Sequence, residues 1–506
     1  MKKKIINIVC FCLALIPFFI FFKDFATYEG LSQIFTERSL IILKNSVYQA
    51  LLSTFFALIV SIFPAIYIAK RKNRVATVIE STFFIPFFFP VIPTIISFSL
   101  IYSFAGTVVK ENIMYTLTAV IIAHVFYDSP IFVKYIGDGL RKIPESVIEA
   151  AKIDGAGRKD IFFKIELPMI IPAIMKGFFL VFVYCFTSFG IVMSIGGIKY
   201  TNFEVAIQSV LSSGIDFSQA LGYGIIQFGI ITGLNIYISF KFKSENEKIE
   251  SNMKNEKCGT VVKTVAVSYM IFEYTIIIIG ILSSFYNFYT LKFDIKGIVN
   301  IFSTEFNQEY KVLEAFLNSF IISIISAIAV TILTYIILKR RDRLTDTMVL
   351  SAMGISSAFI ALAFYYMNIL YNIPLFLLIS AGYIFISLPV SYSYLHHHIA
   401  GFDKEIIEAA KTDGAGKRAV FFKIELPILI PVFISNILQI TALIFGEFTI
   451  AYTMQAGDYI PLVSTVNYSL FSSRHYLEGS AMSAVSVIMI LGLFYISKRL
   501  TIKERR

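Results

Sequence analysis

Apolar runs of similar length, each bounded by charge, alternate with short polar connections along most of the chain. A hydrocarbon core about 30 Å thick takes about 20 apolar residues wound as a helix. Runs of that kind lie near residues 5–22, 46–69, 79–102, 113–137, 169–195, 219–240, 264–288, 313–338, 347–371, 374–398, 428–453 and 478–497. The pattern therefore predicts twelve membrane-spanning helices. The first run follows Lys2, Lys3 and Lys4, as the core of a signal peptide would, but it is longer than such a core and no small-residue cleavage site follows, so it reads as a retained anchor. One connection stands apart. Residues 241–263 are charged and lack an apolar period, which predicts a solvated cytoplasmic linker.

Composition agrees with the pattern. Hydrophobic residues make up 57% and charged residues 15% of the 506 positions, and mean hydropathy is +0.75, too apolar for a water-soluble domain. No polar stretch is long enough to bury a core of its own. The net charge of +10 does not signal nucleic acid, because the basic residues form no single face with interleaved aromatics. They follow topology instead: Lys70, Arg71, Lys72 and Arg74 close the second run, Lys339, Arg340, Arg341 and Arg343 the eighth, and Lys498, Arg499, Lys503, Arg505 and Arg506 follow the last. With twelve spans these clusters share one side, which the positive-inside rule makes the cytoplasm, with both termini there. The four cysteines, Cys10, Cys12, Cys185 and Cys258, have neither a disulfide framework nor metal-ligand spacing and read as small packing residues.

The chain also repeats itself. Residues 149–172, EAAKIDGAGRKDIFFKIELPMIIP, match residues 408–431, EAAKTDGAGKRAVFFKIELPILIP, at 17 of 24 positions. Weaker correspondences extend outward, with Pro130 aligned to Pro389 and Asn45-Ser46 to Asn318-Ser319. Six spans per half keep both halves in the same orientation, which predicts a pseudo-twofold axis along the membrane normal and a pathway between the halves.

Each repeated loop reads EAA, three residues, Gly, nine residues, then Ile-x-Leu-Pro. Residues 143–152 and 404–411 are helix-competent with small alanines on one face. Asp154-Gly155-Ala156-Gly157 and Asp413-Gly414-Ala415-Gly416 predict a break in which the glycines shape the turn. Leu167-Pro168 and Leu426-Pro427 predict a stop before the next span. The loop is expected to lie flat on the cytoplasmic surface.

This motif resembles the EAA loop of binding-protein-dependent ATP-binding cassette (ABC) importer permeases of the type I fold. The resemblance implies an all-α membrane protein of two tandem six-helix MetI-like halves, in a bacterial cytoplasmic membrane. Its domains would be an anchor helix and extracytoplasmic loop at 1–40, a first transmembrane domain at 41–240, the linker at 241–263, a seventh helix and loop at 264–311, a second transmembrane domain at 312–498 and a tail at 499–506. It further implies that Glu149, Ala150, Ala151, Asp154, Gly155 and Gly157, and likewise Glu408, Ala409, Ala410, Asp413, Gly414 and Gly416, dock two copies of a separate ATPase subunit, with an extracytoplasmic binding protein delivering solute. The chain has no GxxxxGK[ST] loop, and GAGRKD and GAGKRA lack that spacing, so ATP and Mg²⁺ would be bound by the partner and no cofactor or metal by this chain. No catalytic constellation is legible.

Ionisable groups inside spans are costly and become pathway candidates: His124 and Asp128, one turn apart on a face where they could pair, and Glu447. The alternative is that each lies at a membrane edge or pairs within the bundle. His396-His397-His398 reads as interfacial packing rather than a metal tract, and Pro86, Pro90 and Pro93 predict a kinked or broken third span. Fusion of two halves resembles the thiamine and ferric-iron branches, and residues 185–211 look thiamine-like, while residues 446–470 fit several branches. An ion-driven transporter or a channel, with His124 and Asp128 as coupling sites, is the competing class.

Overall fold

The computed structural model describes residues 19–27, 32–71, 73–109, 113–213, 217–242, 258–287, 292–339, 345–346, 348–349, 352–400 and 404–504. Most of the first expected span and most of the expected linker lie outside them. Among the described residues, ten helices are long and apolar enough to cross a membrane. The ninth expected span appears as a shorter apolar helix, Ser357–Tyr371.

Two compact units emerge. One spans Phe25–Ser283 and contains α1 (Glu37–Lys70), α2 (Val91–Val109), α3 (Leu117–Arg141), α4 (Glu145–Ile153), α5 (Leu167–Phe186), α6 (Phe203–Ser213), α7 (Phe217–Lys241) and α8 (Thr260–Leu282). The other takes the chain from Ser284 onward: a short hairpin of β1 (Tyr286–Asn287) and β2 (Lys292–Phe293), α9 (Lys296–Ile301), α10 (Val312–Leu338), α11 (Ser357–Tyr371), α12 (Leu375–Ala400), α13 (Lys404–Thr412), α14 (Leu426–Phe445), α15 (Val463–Ser472) and α16 (Tyr476–Glu504). The stretch ending at Asp24 belongs to this second unit, with Phe21 against Phe359 and Asp24 accepting the Tyr366 hydroxyl. Chain order and packing thus part at α8, which follows the linker but packs on α1 and α2 of the first unit.

Helices α1 and α10 invert the usual amphipathic rule because their solvent is lipid. The inward face of α1 carries Ser46, Ala50, Ser53, Ala57, Ser61 and Ala65, and that of α10 carries Ala315, Ser319, Ser323, Ser326, Ala327 and Thr334. Small side chains let backbones approach closely, and hydroxyls can bond back to carbonyls. Large residues such as Leu313, Leu317, Ile325 and Ile332 point outward. At the far end of these spans the Asn-Ser pairs have a common task. Asn45 Nδ2 donates to the Lys199 carbonyl (3.0 Å) and Ser46 Oγ accepts Phe203 N–H (3.0 Å). Asn318 Nδ2 donates to Pro461 O (3.2 Å) and Ser319 Oγ accepts Val463 N–H (2.8 Å). Each pair fixes the start of a short helix, α6 or α15, that was too short to register among the expected spans.

The proline-rich segment breaks the third span. A helix at Arg74–Thr82 ends, a 3-10 turn covers Pro86–Phe88, and α2 begins only at Val91. Pro93 has no N–H to offer the carbonyl of Phe89, and the Tyr127 hydroxyl donates to that oxygen instead (2.9 Å). Thr94 Oγ1 likewise reaches the carbonyl of Pro90 (3.0 Å).

Candidate functional site

The two loops have the same backbone. In each, the motif becomes a nine-residue helix, a left-handed glycine and a second helix. Asp154 N–H donates to Ala150 O (3.0 Å) and Ala156 N–H to Ala151 O (2.9 Å), matched by Asp413 to Ala409 and Ala415 to Ala410, both 3.0 Å. The alanines therefore close the helix through their carbonyls. Gly155 and Gly414 sit at φ +83° and +82° with open space around them, so backbone conformation alone demands glycine. Gly157 and Gly416 are not left-handed; their carbonyls accept the first bond of the next helix, from Ile161 and Val420 N–H (3.0 Å each). Glu149, Ala150, Asp154 and the loop glycines are exposed, as are Glu408, Ala409 and Asp413, whereas Ala151 is buried.

The proline stop does not occur. Residues Phe162–Glu166 and Phe421–Glu425 form one π-helical turn each and run on into α5 and α14. Leu167 and Leu426 stay in the right-handed helical region and bond to the carbonyls of Phe162 and Phe421. A wider turn accommodates a proline ring that would collide with the carbonyl four residues back in a regular α-helix.

Two features of the loops were missed from sequence. Glu166 pairs with Lys70 at the end of α1, and Glu425 pairs with Lys339 after α10 at 2.7 Å while also accepting the Tyr335 hydroxyl (3.0 Å). Burial works against the Lys339 charge, but its hydrogen bonds to Glu425 and Tyr335 hold the ammonium above its ordinary value. Lys339 comes one helical turn nearer to its Asn-Ser opening than Lys70 does, so linear alignment of the repeats hides the equivalence. The other feature is exposed apolar surface: Phe163 and Phe422 are each 62% exposed and Ile153 86%. The identical FFKIELP segments were the available signal for both.

The ionisable groups within the bundle fall differently. His124 and Asp128 are buried but not paired with each other: His124 Nδ1 meets Ser53 Oγ at 3.0 Å, and Asp128 Oδ2 accepts the Cys185 thiol at 3.2 Å. Glu447 lies beyond the end of α14, in a break rather than inside a span. Its carboxylate accepts Thr449 N–H (2.8 Å) and Ile450 N–H (3.0 Å), capping the helix Thr449–Thr453. A fourth group, Glu273 of α8, is buried and accepts Ser129 Oγ (3.2 Å). An acid inside the 264–288 run marked it in the sequence. His396 stacks on Tyr392; the side chains of His397 and His398 lie outside those described.

Tandem bundles of membrane helices, each presenting the same glycine-turned loop beside a lysine-closed span, define a duplicated transport-type membrane subunit. The chain belongs to the family described as the binding-protein-dependent transport system inner membrane component, whose profile matches residues 57–242 and 322–501. It is a multi-pass transport subunit, not an enzyme.

Relatives include the molybdenum transport system permease protein ModB of Azotobacter vinelandii, 26% identical over 41% of this chain and 97% of that one. The thiamine transport system permease protein ThiP of Haemophilus influenzae is 29% identical over 30% of this chain and 28% of its own length. ThiP of Brucella abortus is 25% identical over 44% and 42%. Both ThiP alignments thus take in less than half of the relative.

Proposed function

We propose that the chain forms the translocation pathway of an ABC importer, each loop seating one copy of a separate ATPase, with solute handed over by an extracytoplasmic binding protein. One observation carries this reading: two loops in one chain share helix, left-handed glycine and π-turn, with an acid exposed on each helix at Glu149 and Glu408. ATP and Mg²⁺ belong to the partner subunits. Closure of those subunits moves both loops, and the halves alternate between outward-open and inward-open states. Both termini are cytoplasmic. The support is that within each unit the loop lies beside the lysine closing α1 or α10, where the basic clusters gather.

For the solute we propose a thiamine-like compound or ferric iron. The fused two-half arrangement favours it: the coverage of the ThiP matches implies relatives close to this chain in length, whereas ModB is less than half as long. Glu447 spends its carboxylate on backbone N–H groups, and His124 and Asp128 bond within their own bundle. These contacts support a helix-holding role for all three.

The test is co-expression with candidate ATPases, followed by pull-down and uptake. Glu149→Ala combined with Glu408→Ala should lose the ATPase and uptake together. Uptake driven by an ion gradient without ATP would sink the proposal.

A further inference from the structure

The connection between α8 and α10 holds an apolar surface left open by the described residues. Phe293 is 81% exposed and Phe302 53%, and Ile295 and Val299 are exposed between them. Ile295, Val299 and Phe302 follow one another at helical spacing of four and three, so they form one stripe along α9 and its two flanking residues. Lys292 and Lys296 are exposed beside it.

This stripe is not the loose side of a mobile loop, because the opposite face of α9 is fastened to the unit. Ile301 is fully buried, and Asn300 Nδ2 donates to Glu478 Oε1 (2.9 Å). At Gly297 a Cβ would come within 2.6 Å of the Leu477 carbonyl oxygen, so only glycine permits this approach. Farther along, the Tyr310 hydroxyl bonds His475 Nε2 (2.9 Å). The outer stripe is thus held rigidly outward, where apolar surface left in water forgoes the free energy of burial.

Topology names the occupant. The segment joins the ends of two membrane-crossing helices, α8 and α10, and the outward face of α10 continues with exposed Leu313, Leu317 and Ile321. Apolar and aromatic side chains at the level of helix ends, flanked by lysines that reach toward headgroups, are what a bilayer interface accommodates. We propose that α9 and the end of β2 form an interfacial anchor. Phe293, Ile295, Val299 and Phe302 enter the acyl region just below the headgroups, and Lys292 and Lys296 meet lipid phosphates.

The chain has no tryptophan, so one introduced indole reports on its own site. Phe302→Trp, and separately Phe293→Trp, are placed in the full chain in vesicles whose acyl chains are brominated near the headgroup. Gln308→Trp, on an exposed position of the polar helix Thr304–Tyr310, is the reference. The expected result is at least about twofold quenching of the indole at positions 302 and 293 relative to ordinary lipid, with little change at position 308. If neither reporter is quenched more than the reference, the anchor does not exist. The proposal is equally overturned if both stay unquenched by lipid but shift to the blue when a binding protein is added, since the surface would then be a protein contact.

Discussion

The repeated loops and the bundle interior behind them have diverged to very different extents within one chain. Across the alignment fixed by Pro130 and Pro389, Glu149, Gly155 and the FFKIELP segment recur as Glu408, Gly414 and FFKIELP, and the two left-handed glycines share φ values of +83° and +82°. In the same alignment His124 becomes Tyr383, Asp128 becomes Ser387 and Ser129 becomes Leu388. Interior positions need only to fill volume and satisfy their polar atoms, which many residue sets can do. On the proposed function the two loops fit copies of one partner surface, which would leave them no such freedom. On that reading, the contrast separates what the fold tolerates from what the proposed shared contact demands.

Substitutions on both sides of that contrast can challenge it. The largest effect is expected from Glu149→Ala combined with Glu408→Ala: ATPase retention in pull-downs should fall by at least about tenfold, equivalent to about 1.4 kcal/mol. Each single change should leave the other loop occupied. Next, Gly155→Ala and Gly414→Ala should each cost about 1–2 kcal/mol by placing a side chain in left-handed backbone, read as matched losses in thermal unfolding. If the two copies differed widely, their local equivalence would fail.

The ion pairs should separate the copies. Lys70→Ala strands Glu166, whose side chain is 7% exposed, and should cost about 1–2 kcal/mol of stability. Lys339→Ala should cost under about 1 kcal/mol, because Glu425 is more open and keeps the Tyr335 hydroxyl. Smallest of all, Asp128→Ser, which installs the residue found at the aligned position of the second copy, should leave ATPase retention within about twofold, and Gly157→Ala should alter stability by no more than about 0.5 kcal/mol.

The loops were legible because they are local: helix, glycine and proline follow from consecutive residues, and repetition exposed them. The proline was nonetheless misread as a stop, since a single π-turn absorbs its ring without ending the helix. Long spans were legible by length and the break in the third by Pro86, Pro90 and Pro93, but the interruption at Gly446 was not. Glu447 looked part of one continuous helix because residues 428–453 are predominantly apolar, whereas α14 ends at Phe445 and the Glu447 carboxylate caps the next short helix. The packing of α8 with the first unit, the bonding of His124 to Ser53 and the Lys70–Glu166 pair join residues distant in sequence. No periodicity carries that information.

Whether the two loops are equivalent ATPase seats is tested most directly by the mass of the detergent-purified complex under native conditions. Two ATPase subunits per chain are predicted for the unaltered protein and one after Glu149→Ala alone. A single ATPase in the unaltered complex, or two retained after both glutamates are replaced, would contradict it.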